Sequence, residues 1–258
     1  MTITTIQPNG ANGIDTFIYA LAGANFGTET YMYIGEANNG AGAYCRALLK
    51  FDLSGILSSD ISTSSILYLR TCSDGYSSDY ATNAPTYYIY HVLRDWVENQ
   101  TTWTIFSTGN NWGTVGCSNT ATDRENTVIA TGSTVNNLAI DSEVAITFYN
   151  SEIKKYFGST LNIIIQTNEN NDMYPFHSSD SPTASYRPKL VITHEAATDI
   201  PNVKTVNGVA NTDIKTMNGV PVNDIKSLQG LFSGEWLRKL DVIKKGGLWM
   251  PNTGLVTI

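Results

Sequence analysis

The 258 residues carry 16 Lys and Arg against 23 Asp and Glu, a formal net charge of −7, with 21 Gly, 14 Tyr, 5 Trp and 3 Cys. This acidic, sparsely charged balance excludes nucleic acid as the main partner, because phosphate-backbone binding needs clustered Lys and Arg. Abundant Ser, Thr, Asn, Gly and Tyr exclude a long-helix or coiled-coil protein, and the length suits one large all-β domain with an appendage.

The charge is uneven: from Thr198 onward there are seven Lys or Arg and five Asp or Glu, about +2, leaving −9 for the body. Cys45, Cys72 and Cys117 are widely spaced, with no CxxC or metal-ligand pattern, and read as small buried hydrophobes. The N-terminal MTITTIQPNGANG has neither a basic start nor an apolar run, so no Sec-type signal is expected, and no apolar stretch is long enough to span a membrane.

In chain order, residues 15–21 (DTFIYAL) predict a first strand and residues 31–35 a short second one between glycine-bearing loops. Residues 46–53 (RALLKFDL) alternate Leu48, Lys50 and Asp52 with Leu49, Phe51 and Leu53, which predicts a strand with one face on a core. Residues 66–69 (ILYL), apolar on both faces, read as a central strand. A long polar loop of Ser, Asp, Gly and Tyr follows over 73–85.

Residues 87–112 (YYIYHVLRDWVENQTTWTIFSTGNNW) open as a strand and hold three of the five tryptophans. So much aromatic surface either plugs the end of a core or offers a stacking platform. Trp96 and Trp103 read as plugs, whereas Trp112, between Asn111 and Gly113, is expected to be exposed. Weaker strands are predicted near 127–130 and 144–148, a helical turn over 150–157 capped by Ser151, and strands at 161–166 and 188–194. Nine or ten short strands separated by turn signals predict an antiparallel jelly-roll sandwich over residues 1–197.

These residues carry a resemblance. Asp15-Thr16-Phe17-Ile18, Asn25-Phe26-Gly27, Tyr33-Ile34-Gly35 and residues 46–53 resemble the opening of the DNRLRE domain family. Arg94, Trp96, Glu98, Thr102-Trp103 and Trp112-Gly113 are similar to its central run, and His177-Ser178-Ser179-Asp180 with Arg187-Pro188-Lys189-Leu190 to its closing signature. The resemblance spans 15–194 with its motifs in family order, and departs from the pattern at Asp180, where Glu is usual, and in the length of the 73–85 loop. It implies a jelly roll that serves as a carbohydrate-binding or adhesion module, accessory rather than catalytic.

The segment 198–258 is organised differently. Residues 203–213 (VKTVNGVANTD), 214–224 (IKTMNGVPVND) and 225–235 (IKSLQGLFSGE) are three copies of an eleven-residue unit in which Asn-Gly or Gln-Gly sits between apolar residues, a tight-turn signal. Units this small bury no core alone and are expected to stack on each other, on identical chains or on a partner. Val206, Asn207, Gly208, Met217, Asn218, Gly219, Leu228, Gly230, Trp236 and Trp249 are the expected anchoring or oligomerisation residues. Such repeats resemble those near the ends of bacteriophage virion proteins.

For chemistry, the three histidines, His91, His177 and His194, belong to no nucleophile motif and read as structural. Asp95 with Glu98 is a conceivable glycosidase pair, but acids at a strand end more often hold a corner in place, so no catalytic residue is assigned. Ligand contacts are expected from Trp112, Tyr76, Tyr80 and Arg94. No cofactor is expected; calcium is the one candidate ion, at Glu169 and Asp172, although their spacing is not that of an EF-hand.

The expectation is therefore a non-catalytic bacteriophage virion structural protein, made in the host cytoplasm. It would bind host surface glycan, contact other virion proteins through its tail, form a homo-oligomer, and engage neither nucleic acid nor membrane. The alternatives are a bacterial surface or secreted polysaccharide-binding accessory module, and a lyase or hydrolase of acidic polysaccharide.

Overall fold

The computed structural model describes residues 1–37, 42–73, 84–135, 138–168 and 173–197, and beyond them the backbone of six short strands. The chain separates into two compact units, Met1–Ala196 and Ala197–Ile258.

The body is an all-β sandwich made by curling one antiparallel sheet. Its strands are β1 (Thr2–Ile6), β2 (Ile14–Tyr19), β3 (Tyr31–Glu36), β4 (Tyr44–Asp52), β5 (Ile61–Arg70), β6 (Thr86–Val92), β7 (Ile105–Ser107), β8 (Asn110–Asn111), β9 (Arg124–Ser133), β10 (Glu143–Phe148), β11 (Thr160–Gln166), β12 (Tyr174–His177) and β13 (Lys189–Glu195). The order across the sheet is β1-β13-β5-β10-β9-β6-β11-β4-β3-β12, with β2 also on β4, while β7 and β8 form a hairpin of their own. Beyond β5, Thr71 bridges Phe176, and the Cys72 N–H donates to the Pro175 carbonyl at 3.1 Å. The far end of the path is thus drawn back against β5, and the curl encloses a core that includes Phe17, Ile34, Leu49, Phe51, Leu67, Tyr87, Ile146, Ile163 and Phe176.

Period-two alternation accounts for most of these strands. In β10 every second residue is buried, and in β6 Tyr87 and Ile89 point inward. Two expectations exchange places. Residues 66–69, read as doubly buried, belong to a longer strand with only one face covered: Leu67 and Leu69 are buried, Ile66 and Tyr68 partly exposed. It is β4 that is buried on both sides, with Leu49 and Phe51 in the core and Leu48 in a second apolar cluster on the outer face. Residues 93–123 are laid over that outer face, whereas β5 lies elsewhere in the sheet.

Two strands lack a full apolar alternation, and a third carries a proline. β1 (TITTI) is a polar strand at the sheet's end, tied inward where His194 lies 2.8 Å from Thr4 Oγ1 through Nε2 and 2.7 Å from Asp60 Oδ2 through Nδ1. The first half of β5 hides two buried serines, Ser62 and Ser65, whose hydroxyls bond each other at 3.0 Å. β12 contains Pro175, tolerated because the strand ends the path.

The helical turn forms as α1 (Asn150–Ile153), continued by a 3-10 turn over Lys154–Tyr156. Ser151 does not cap it: the N-cap is Tyr149, without a side-chain bond. The Asn150 amide fixes the turn instead, donating to the Thr63 carbonyl and accepting from Ser62, while Ile153, Tyr156 and Phe157 are buried. All three cysteines are free and buried, as expected.

In the second unit, β14 (Thr205–Val206) pairs with β15 (Val209–Ala210) and β16 (Thr216–Met217) with β17 (Val220–Pro221); β18 (Val242–Lys245) pairs with β19 (Leu248–Pro251). The first two hairpins fall at the same place in successive eleven-residue units. Asn207, Gly208, Asn218, Gly219, Leu228, Gly230 and Trp236 lie outside the described residues.

The unequal covering of β4 and β5 has a measurable consequence. Leu48→Ala is expected to cost about 3 kcal/mol, as for a fully buried leucine, and Ile66→Ala, also outward but half-exposed, below about 1.5 kcal/mol. Urea unfolding of the two variants checks this, and equal losses would contradict it.

Candidate functional site

The tryptophan-bearing segment is a cover built on the sheet. Ile18, Leu48, Ile164 and Val92 from β2, β4, β11 and β6 meet Trp96, Trp112 and Cys117 in a buried cluster, with Tyr90, Trp103 and Phe106 packed against it. Trp96 is 1 % exposed, and its Nε1–H donates to Asn162 Oδ1 at 2.5 Å. The Asn162 amide group in turn donates to the Val92 and Arg94 carbonyls at 3.1 and 3.0 Å, so one β11 side chain pins the point where the chain leaves β6.

The other end of the cover is tied by Asp123, which is fully buried. Its carboxylate accepts from the Gly113, Thr114 and Asn119 N–H groups at 2.7, 2.9 and 3.2 Å and from the Thr122 hydroxyl. Arg94 faces it with Nε 3.6 Å from Oδ1 and its guanidinium 5.3 Å from the Phe106 ring.

One expected ligand contact, Trp112, is thereby corrected. Trp112 is 5 % exposed rather than open, because its Nε1–H donates to the Thr102 carbonyl at 3.0 Å and its ring packs on Phe106. The exposure expected from its polar neighbours belongs to Asn111 and Gly113 alone. Arg94 is the counter-charge of a buried carboxylate and keeps 36 % of its side chain exposed. Trp103 differs from a plug in the other direction, being only partly buried. Gly116, at φ +74, lets it lie flat, since a Cβ there would sit 2.6 Å from the indole.

Beside the cover, the outer face presents an aromatic rim. Tyr44 stacks on Trp103 with ring centres 6.5 Å apart and planes at 28°. Arg46 places its guanidinium 5.0 Å from the Trp103 ring and donates to the Gly116 carbonyl at 2.6 Å and the Ser118 hydroxyl at 2.7 Å, which locks the pair's underside. One step across, Tyr88 is the register partner of Gln166, and both project outward because Tyr87, Ile89 and Ile165 point into the core. The Gln166 Oε1 is buried without a hydrogen-bond partner. Tyr90 is covered by the Arg124 guanidinium at 3.8 Å. Tyr44, Trp103 and Tyr88 each keep part of their ring accessible.

Tyr76 and Tyr80 lie outside the described residues, in 74–83 between β5 and β6, and Glu169 and Asp172 in 169–172 between β11 and β12. The strand ends flanking these stretches, the start of β6 and the end of β11, are the ends that carry Tyr88 and Gln166. Arg94 follows the opposite end of β6, whose seven residues separate the two by about 20 Å at roughly 3.3 Å per residue. Arg94 and Trp112, by contrast, meet in the segment over the outer face.

Several polar residues elsewhere are engaged within the fold. Asp95 is 98 % exposed and bonded to Lys50 at 2.9 Å, while Glu98 accepts the Asp15 N–H at 2.9 Å, so the two acids do not face each other across a cleft. His91 and His177 are held below the usual histidine range by burial, opposed by Glu125 and Asp141 respectively. Among the described residues no group of three His, Cys, Asp or Glu side chains is disposed to hold a metal ion. Asp15, inward on β2, accepts the Ser179 N–H at 2.8 Å. Burial above all, with Glu98 and Asp180 adding to it against the Ser179 hydrogen bonds, pushes the Asp15 carboxyl up to about 7.

Compared with known families, the chain matches carbohydrate-binding module family 96 over residues 10–194. The motifs read as DNRLRE-like lie within that stretch, and the segment from 198 onward lies outside it. No curated protein matches the chain.

Because the folded state favours the protonated Asp15, the fold loses stability as pH rises from the unfolded carboxyl value, near 3.8, through about 7. Asp15→Asn keeps an acceptor for Ser179 and removes that titration. Relative to the natural chain the variant is expected to gain on the order of 2 kcal/mol between pH 5 and pH 8. Urea unfolding at the two pH values measures the difference, and a difference independent of pH would contradict the assignment.

Proposed function

The chain belongs to carbohydrate-binding module family 96, and from that premise we propose that its body is a non-catalytic glycan-binding domain whose contact surface is the outward rim of Tyr44, Trp103 and Tyr88. The observation that carries this reading is the placement of the three aromatic residues. They stand partly exposed on one stretch of sheet and cover, Trp103 stacked on Tyr44 and backed by Arg46, with Gln166 the register partner of Tyr88. Sugar rings offer C–H faces to aromatic surfaces and hydroxyls to polar groups at their edges, and a preformed platform binds without ordering loops. Tyr76 and Tyr80 belong to the same proposal, because their segment leaves the sheet beside Tyr88.

We further propose that the domain is carried on a bacteriophage particle, with the tail as its attachment to other virion proteins. Support comes from the eleven-residue repeats, which resemble those at the ends of virion proteins and lie outside the matched family. The alternative is a bacterial surface or secreted accessory module for polysaccharide, which the family membership favours equally. Capsid and tail genes beside the coding sequence would select the first, and genes for polysaccharide-degrading enzymes the second.

The binding surface is tested by affinity electrophoresis and calorimetry against neutral and acidic polysaccharides. Trp103→Ala and Tyr88→Ala are each expected to weaken binding about tenfold or more, equivalent to about 1.4 kcal/mol, while Arg94→Lys, outside the rim, leaves it unchanged. Binding by no polysaccharide, or unaltered binding by both aromatic variants, would overturn the proposal.

A further inference from the structure

The second unit contains hairpins that are incomplete as they stand. Among the described residues each of its three hairpins is a two-stranded sheet of its own. The first two pair only two residues with two. Hairpins of this size are marginal in water without a third element against them. They call for a further apolar surface against them, and the repeat pattern points to one.

Register gives each hairpin two unlike faces, since directly paired residues share a face. Val206 pairs with Val209, and Met217 with Val220, so one face carries an apolar pair; the other carries Thr205 with Ala210, and Thr216 with Pro221. In the third unit Leu228 and Leu231 occupy the positions of the apolar pair. The same pair thus recurs every eleven residues along the chain. Extension of the sheet by edge pairing is blunted where β17 ends on Pro221, which has no N–H to donate. The apolar face is what remains for association.

We propose that the occupant of this face is the same face of other copies of this chain, so that the repeats pack against one another as a homo-oligomeric stalk. A partner that covers the apolar pairs one after another has to present apolar groups at the same eleven-residue interval. An identical tail does so by construction, and closed symmetry lets every unit be covered at once. The inference stands independently of the glycan reading, because it concerns a different unit and a different readout.

Sedimentation velocity of the full chain, from low to high micromolar concentration, is the test. An assembly of two or more chains is expected, and the full-length double variant Val206→Asp, Met217→Asp is expected to sediment as a monomer whose body keeps its near-UV circular dichroism. Disassembly should also weaken retention on a long polysaccharide by about tenfold or more through lost multivalency, with affinity for a short oligosaccharide unchanged. A full chain that is monomeric throughout, or a double variant that stays assembled, overturns the proposal. Loss of glycan binding with assembly intact would count against the rim alone.

Discussion

The outer face of β4 and β11 carries an apolar patch, Leu48 and Ile164 beside Ile18 of β2, set among polar residues such as Arg46 and Asn162, and such a patch cannot be left to water. Leu48, Ile164 and Ile18 project away from the main core and require burial as fully as the residues on the other side. Residues 93–123 supply it, and the organisation of the body follows from how that cover is fastened. Asn162 pins its start through Trp96 and two carbonyls, and the buried carboxylate of Asp123 gathers the N–H groups of its far turn. Arg94 supplies the opposite charge that a carboxylate buried to this degree requires.

Fastening the cover decides which aromatic residues are left for a ligand. Trp96 and Trp112 spend their N–H groups on protein acceptors and lie under it. Trp103 sits at its margin, laid flat over Arg46 by the glycine at 116 and stacked on Tyr44. The proposed stacking surface is therefore a by-product of covering the sheet, shared between the cover and two strands, β4 and β6. A surface built this way is suited to binding, and the acids nearest to it in sequence, Asp95 and Glu98, are occupied in holding corners.

Much of the fold was legible in the chain because burial of one face imposes period two, as in residues 144–148, and burial of both gives an apolar run, as in residues 163–165. The strands that escaped were those whose inward residues are polar: Ser62 and Ser65 bond each other, and Thr4 reaches His194, so no apolar alternation marks them. The site was harder to read. Trp112 sits among exposed neighbours yet is buried, since its environment is set by Phe106 and the Thr102 carbonyl, contacts that composition does not report. The partner of Arg94, Asp123, lies 29 residues away in the numbering and becomes its neighbour only when the cover closes. The signal for Tyr88 was present. The alternation of YYIYHV places it opposite Tyr87 and Ile89, and a residue so placed must either be covered or face a ligand. What the alternation could not supply was the Tyr44 and Trp103 pair, which is assembled from β4 and the cover.

The proposed binding surface is the margin where the cover meets β4, β11 and β6. A heteronuclear NMR titration of the full chain with an oligosaccharide it retains tests this most directly. Shifts concentrated at Tyr44, Arg46, Tyr88, Gln166 and the Trp103 indole, with the Trp96 and Trp112 indoles unmoved, are the expected result. Shifts centred on Arg94 and the buried indoles, or on the outward residues of β1 and β13, would contradict it.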